Sequence, residues 1–193
     1  GICEQLEDAK NVKGIVKRDI IQIVSSGTLI NEDSLDEKSN NYIAALTSYK
    51  HAYAISYTDI STGEIYITLI ENNFVKLISE IISIGIKEIV VKNEFDKLIT
   101  TTLRNDFNVL VNYYDQISEY NEYSSIYNNL NDIRHVDSLK YLLSYLTDTQ
   151  KRILNHFQIP VIKESKNFLK MDIHTKRNLE LIETLRLKQR NNS

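Results

Sequence analysis

The chain has 193 residues, of which 42% are hydrophobic and 25% charged, a mixture typical of a globular protein with one well-buried domain. Its 23 basic and 26 acidic residues leave a formal net charge of −3, which argues against tight independent binding to nucleic acid, because such binding depends on neutralising phosphates. The single cysteine, Cys3, excludes an internal disulfide and fits the reducing cytoplasm, and no apolar run approaches the roughly 18 residues that would span a bilayer.

The first third of the chain predicts strands. Residues 15–24 are rich in β-branched side chains and favour a strand. Residues 31–41 contain only one apolar side chain, Leu35, so they cannot build a core face and we expect a linker. Further strands are predicted at 42–49, 52–60 and 64–70, and the short connections between them indicate antiparallel neighbours.

The hydrophobic period changes after residue 70. Apolar residues at helical spacing from Phe74 to Ile82 predict a helix that ends at Gly85, and the apolar run 86–91 predicts a strand covered on both faces. The remaining predicted elements are a helix capped by Asn93, a strand at 107–111, helices at 117–130 and 137–157, the second with Asp137 as N-cap, an extended piece at 168–171, and a helix from Asp172 or Thr175.

This order of elements predicts the fold class. Antiparallel hairpins followed by helix–strand crossovers give an α/β protein whose mixed five-stranded sheet carries helices on its faces. That is the layout of an RNase H-like fold. Because such folds often hold metal-dependent nucleases, a divalent-metal nuclease using Asp59, Glu64 and Asp115 is one functional alternative.

The residues favour a non-catalytic domain over that alternative. The segment from Asp59 to Glu64 is also good turn chemistry, in which Asp, Ser and Thr satisfy backbone groups. Zinc is not expected, since His51, His135, His156 and His174 are widely spaced. The sequence contains no phosphate-binding loop motif either, so we expect no catalytic residue, metal or cofactor in this chain.

Several segments resemble the bacterial MutS family of DNA mismatch-repair proteins, in order and at similar spacing. They are Ile2–Asp8, Lys13–Arg18, Gln22–Thr28, Leu35–Tyr42, Asp59–Glu64 and Met171–Leu181. The resemblance implies an internal piece of a longer protein: residues 1–30 from the end of the mismatch-binding domain, 31–41 a linker, 42–160 the connector domain, and 161–193 the start of the core and lever domain.

The resemblance also implies a division of labour. The intact parent protein, a homodimer, would recognise mispaired DNA and hydrolyse ATP with magnesium, whereas this piece would be monomeric and do neither. The connector domain would link mismatch recognition to the ATPase core and offer a docking surface for the partner MutL. Residues 142–150 resemble the late connector helix, and the candidate docking residues precede it: Tyr123, Ser124, Tyr127, Asn128 and Asn131.

Overall fold

The structure is a computed structural model that describes residues 1–5, 18–23, 25, 40–164 and 180. The strands are β1 (Ile2–Gln5), β2 (Arg18–Gln22), β3 (Tyr42–Ser48), β4 (Ala52–Asp59), β5 (Ile65–Glu71), β6 (Ile86–Val91), β7 (Leu110–Tyr113) and β8 (Val161–Glu164). The α-helices are α1 (Phe74–Ile84), α2 (Lys97–Phe107), α3 (Ser124–Tyr127) and α4 (Ile133–Gln150), and a 3₁₀ turn at Asn121–Tyr123 precedes α3. No helix within these ranges is long and apolar enough to cross a membrane.

Two sheets are present in the described residues. β1 and β2 form an antiparallel pair, and the larger sheet has the order β7-β6-β3-β4-β5-β8. In the larger sheet β4 runs antiparallel to β3 and β5, whereas the β3–β6, β6–β7 and β5–β8 pairs are parallel. The predicted α/β class and mixed sheet are therefore confirmed, but the predicted count of five strands is wrong. The sixth strand, β8, has only four residues, all exposed, and its pairing with Tyr66–Leu69 is not visible in its local sequence.

Helices cover both faces of the large sheet. Leu46 and Ile55 pack on the face covered by α1 and α2. Ile43 and Ala45 point to the other face, where they contact the cluster built on α4. Every residue of β4 is buried, as expected for a central strand with a hydrophobic layer on each side.

The helix boundaries differ from the prediction where a different residue caps the helix. Gly85 ends α1 in the left-handed conformation, as predicted. The cap of α2 is Asp96, which accepts the Leu98 N–H at 2.9 Å, and Asn93 instead donates to Asp115. α4 begins after Asp132, not Asp137, and ends at Gln150.

Other predicted elements are shorter or fall outside the described residues. The helix expected at 117–130 is reduced to the 3₁₀ turn and the single turn of α3. The strand expected at 15–24 is present as β2. The predicted extended piece at 168–171, the helix starting at Asp172 or Thr175, and all but the last two residues of the predicted linker lie outside the described residues.

The turn between β4 and β5 anchors the chain that leaves α4. The Gly63 carbonyl accepts the Gln158 N–H at 2.9 Å, and the His156 ring nitrogen Nε2 lies 2.6 Å from the Ile60 carbonyl oxygen. Gly63 has φ +72°, and a Cβ atom there would lie 2.4 Å from the His156 carbonyl oxygen. This contact guides the chain to the point where β8 joins the sheet.

Gly63→Ala and Gly85→Ala form a matched pair, because both glycines have positive φ but nothing lies within 4 Å of a Cβ at Gly85. We expect Gly85→Ala to lower the free energy of unfolding by about 1–2 kcal/mol through backbone strain alone. Gly63→Ala adds a backbone clash, and the expected loss is about 2–5 kcal/mol. Urea unfolding followed by circular dichroism measures both, and equal losses would contradict the close approach of His156.

Asp132 generates a pH-dependent prediction. It caps α4 and accepts hydrogen bonds from the Arg134 side chain, which lower its pKa from 3.8 to about 2. Since the folded-state pKa is depressed, the stabilisation is present above the unfolded pKa and is lost as the pH falls from about 4 to about 2. The difference in unfolding free energy between the wild type and Asp132→Asn should shrink over that window. Asp106→Asn, at an exposed aspartate on α2, is the matched control and should change the unfolding free energy by less than about 0.5 kcal/mol at neutral pH.

Candidate functional site

The three carboxylates of the nuclease alternative have structural partners. Asp59 is 8% exposed and accepts hydrogen bonds from the Ser61 N–H at 2.9 Å, the Ser61 hydroxyl at 2.6 Å and the Asn41 N–H at 3.0 Å. Glu64 accepts the Tyr66 hydroxyl at 3.0 Å. Asp115 accepts the Asn93 N–H at 2.9 Å. Asp59 and Asp115 therefore hold backbone N–H groups of a turn and a loop, and Glu64 is engaged by a tyrosine of β5.

The sheet register also separates these carboxylates. Asp59 is paired with Tyr42 at the start of β3. Asp115 follows Tyr113, which is paired with Val91 at the end of β6, a strand parallel to β3. The two groups thus lie at opposite ends of the sheet, whereas a two-metal site needs carboxylates converging on ions about 4 Å apart. Among the described residues no group of three His, Cys, Asp or Glu side chains could hold a metal ion, and the nuclease alternative is not supported.

His156 and His135 lie in separate environments. His156 contacts the Ile60 carbonyl at the β4–β5 turn. His135 is buried near the start of α4, and burial lowers its pKa, which favours the neutral ring. Its Nδ1 atom has no hydrogen-bond partner among the described residues. His174 lies outside the described residues.

The predicted docking residues lie around α3, but they are not equally accessible. Tyr123 is only 1% exposed, so the expectation that it contributes to a surface is wrong. Its hydroxyl lies 3.1 Å from Thr147 Oγ1 and accepts the Leu154 N–H at 2.9 Å, which fixes the ring beneath α3. Ser124, Asn128 and Asn131 are exposed and Tyr127 is half-buried. These four residues are called the α3 surface below.

A row of polar side chains on α4 holds the segment before α3 in place. The Asp148 carboxylate accepts the hydroxyls of Tyr114 and Tyr120. Burial, and then the hydrogen bond to Asp148, raise the pKa of Tyr114, so its hydroxyl keeps the proton that it donates. The Tyr141 hydroxyl donates to the Tyr114 carbonyl, and Ser144 bonds both backbone groups of Ser118. The helical spacing of residues 141, 144 and 148 is the sequence signal for this row, which the sequence analysis missed.

A cavity of about 500 Å³ lies beside the α3 surface, at the carboxyl ends of β3 and β6. Open α/β sheets commonly place ligand sites at such ends. Leu46, Phe95 and the half-exposed Ile117 form its apolar wall, and Lys92 and Lys140 are among the charged residues that line it. The Lys140 ammonium also lies 5.6 Å from the centre of the Tyr127 ring, which connects the cavity to the α3 surface.

Asp59→Ala separates the structural role from the metal-binding one. Removing the carboxylate leaves the N–H groups of Ser61 and Asn41 without their acceptor, so the unfolding free energy should fall by about 2 kcal/mol. Asp106→Ala, at an exposed site, should change it by less than about 0.5 kcal/mol. Magnesium or manganese should not raise the melting temperature of the wild type. A metal-dependent increase in melting temperature that disappears in Asp59→Ala would support the nuclease alternative.

Comparison with known proteins identifies the family. The family model for MutS domain II matches residues 41–158, and the model for MutS domain I matches residues 1–33. The DNA mismatch repair protein MutS of Oceanobacillus iheyensis is 37% identical over all 193 residues, and those of Bacillus cereus strain G9842 and Bacillus thuringiensis strain Al Hakam are each 35% identical.

The alignments cover 100% of this chain but only 22% of each relative, so the chain spans about a fifth of the length of the curated relatives it matches. A single family model nevertheless accounts for more than half of the chain, and the whole of it aligns with those relatives. The chain therefore belongs to the MutS family.

Proposed function

We propose that this chain is the connector region of a MutS-type DNA mismatch repair protein, which links mismatch recognition to the ATPase core without catalysing a reaction itself. The observation that carries the proposal is the match of MutS domain II to residues 41–158, which follows a match of MutS domain I to residues 1–33. The domain boundaries at residues 30, 41 and 160 stay predictions.

The sheet supports an RNase H-like description of this region. The hairpins β3–β4–β5 come first in the chain, and the crossovers through α1 and α2 then add β6 and β7 on the other side of β3. This is the topology expected for an RNase H-like fold, with β8 as an addition at the edge. Fold alone carries no activity, and the structural roles of Asp59, Glu64 and Asp115 favour a scaffold.

The chemistry of the whole protein is assigned to its other parts. We propose that the cytoplasmic parent dimer recognises mispaired DNA and hydrolyses ATP with magnesium. This chain contains no phosphate-binding loop motif, and its described carboxylates do not converge. We therefore propose that nucleotide and magnesium are bound by other parts of the protein.

The α3 surface is the proposed docking site for MutL. The side chains of Ser124, Asn128 and Asn131 are exposed, and loops held by a rigid scaffold are where binding residues concentrate. The row of hydrogen bonds from α4 holds the backbone that leads into α3, which reduces the entropy that a partner would have to remove on binding. The adjacent cavity offers an apolar wall for one anchoring side chain of the partner.

The docking proposal predicts that two sites on this chain contribute to MutL binding. Asn128→Ala combined with Asn131→Ala removes exposed polar groups from the α3 surface, and Ile117→Ala removes apolar area from the cavity rim. Each change should weaken binding about fivefold, which corresponds to roughly 1 kcal/mol per site. An NMR titration of the chain with the N-terminal domain of MutL measures the affinity and maps the shifted resonances.

Matched variants at distant positions control for general effects. Asn105→Ala changes an exposed asparagine on α2, across the sheet from α3, and Ile159→Ala changes an exposed isoleucine before β8. Neither should alter the affinity for MutL. Unchanged affinity in the folded Asn128/Asn131 double variant, with shifts elsewhere on the domain, would move the docking site away from α3.

A further inference from the structure

The chain before the large sheet is attached to it by polar contacts. The Ile23 N–H donates to the Thr149 carbonyl at 2.8 Å, near the end of α4. The Ser25 hydroxyl donates to Glu88 Oε2 at 2.5 Å. Ile23 and Ser25 belong to the range matched by MutS domain I, whereas Thr149 and Glu88 belong to the range matched by MutS domain II. These hydrogen bonds therefore join parts of the chain that belong to two different domains.

The acceptor of this contact is an unusual side chain. Glu88 lies on β6 and is 0% exposed, and burying a carboxylate is unfavourable unless several donors compensate for the lost water. Its other oxygen, Oε1, accepts the Asn112 amide at 2.8 Å and the Tyr145 hydroxyl at 3.0 Å. Burial, and then the charge of Glu88, raise the pKa of Tyr145, so Tyr145 remains a donor.

We propose that Ser25 and Glu88 form a releasable latch that holds the end of the MutS domain I portion against β6 and α4 of the MutS domain II portion. The proposal does not depend on MutL docking or on mismatch recognition. It assigns to a buried carboxylate, which no reaction of this chain uses, the role of fixing the relative position of two domains.

The two oxygens of Glu88 explain why the latch can open without unfolding the core. When Ser25 leaves, Oε1 keeps its two donors from Asn112 and Tyr145, so Glu88 stays in place on β6. Opening breaks the hydrogen bond from the Ser25 hydroxyl to Oε2, and the free energy of that bond favours the closed state. On the other side, the Ile23 side chain is 42% exposed, so its own burial adds little to the attachment. In the described part of this segment the attachment is made by hydrogen bonds, and such contacts open more readily than a packed sheet.

The first test is amide hydrogen exchange in the complete 193-residue chain. Ser25→Ala removes a hydroxyl donor to Oε2, and the Ile23 amide should then exchange at least about tenfold faster, as expected for losing a hydrogen bond to a charged group. Ser48→Ala, at an exposed serine of β3, should leave this rate unchanged. Glu88→Gln keeps an acceptor for Asn112 and Tyr145 and presents an amide to Ser25, so its effect should be smaller than that of Ser25→Ala.

A spin label on Cys3 provides an independent readout. Cys3 is exposed, is the only cysteine of the chain, and lies on β1, which pairs with β2. Because β2 contacts α4, the label should broaden the amide resonances near Thr149 in the closed state. Ser25→Ala should reduce this broadening while the chemical shifts of β3 to β7 remain those of the wild type.

Two results would overturn the proposal. If Ser25→Ala changes neither the Ile23 exchange rate nor the broadening, the hydroxyl does not hold the two parts together. If Ser25→Ala instead shifts the resonances throughout β3 to β7, Ser25 is part of the folding core and not a releasable contact.

Discussion

The burial of β4 on both faces is the constraint on which the rest of the structure depends. Tyr53, Ile55 and Tyr57 pack into the first hydrophobic cluster, whereas Ser56, on the other face, donates a hydrogen bond to Ser138 of α4, so each face of the sheet must be covered. α1 and α2 cover one face and α4 covers the other. The order of the strands follows, because the two crossovers must place β6 and β7 beside β3 while the hairpin partner β5 occupies the other side of β4.

α4 combines packing with polar recognition. Its apolar side chains fill the second core, while Tyr145 reaches the buried Glu88 and Asp148 receives two tyrosine hydroxyls from the loop after β7. Buried polar groups need partners, and these hydrogen bonds satisfy them across elements distant in sequence. One helix thereby supports the α3 surface and the attachment of the preceding segment, the two places where we propose contact with other parts of the repair machinery.

The carboxylates show why a fold that is found in nucleases need not contain a nuclease site. Asp59 sits near the end of a central strand, a position where a metal ligand is plausible. In the structure its oxygens are occupied by turn donors, and Asp115 lies at the opposite end of the sheet. The same residue types serve turns and metals alike, and only convergence in space distinguishes the two uses.

The sequence by itself determined the α/β class, the hairpins, the helix ending at Gly85 and the family resemblance, because hydrophobic periodicity, turn residues and motif spacing are local signals. The tertiary structure decided which aspartates cap α2 and α4, the addition of β8, the burial of Tyr123 and the meeting of Ser25 with Glu88. Each of these depends on groups brought together from distant positions. A strand of four exposed residues or a lone serine carries no local sign of its partner, since the partner is defined only when the sheet and α4 have assembled.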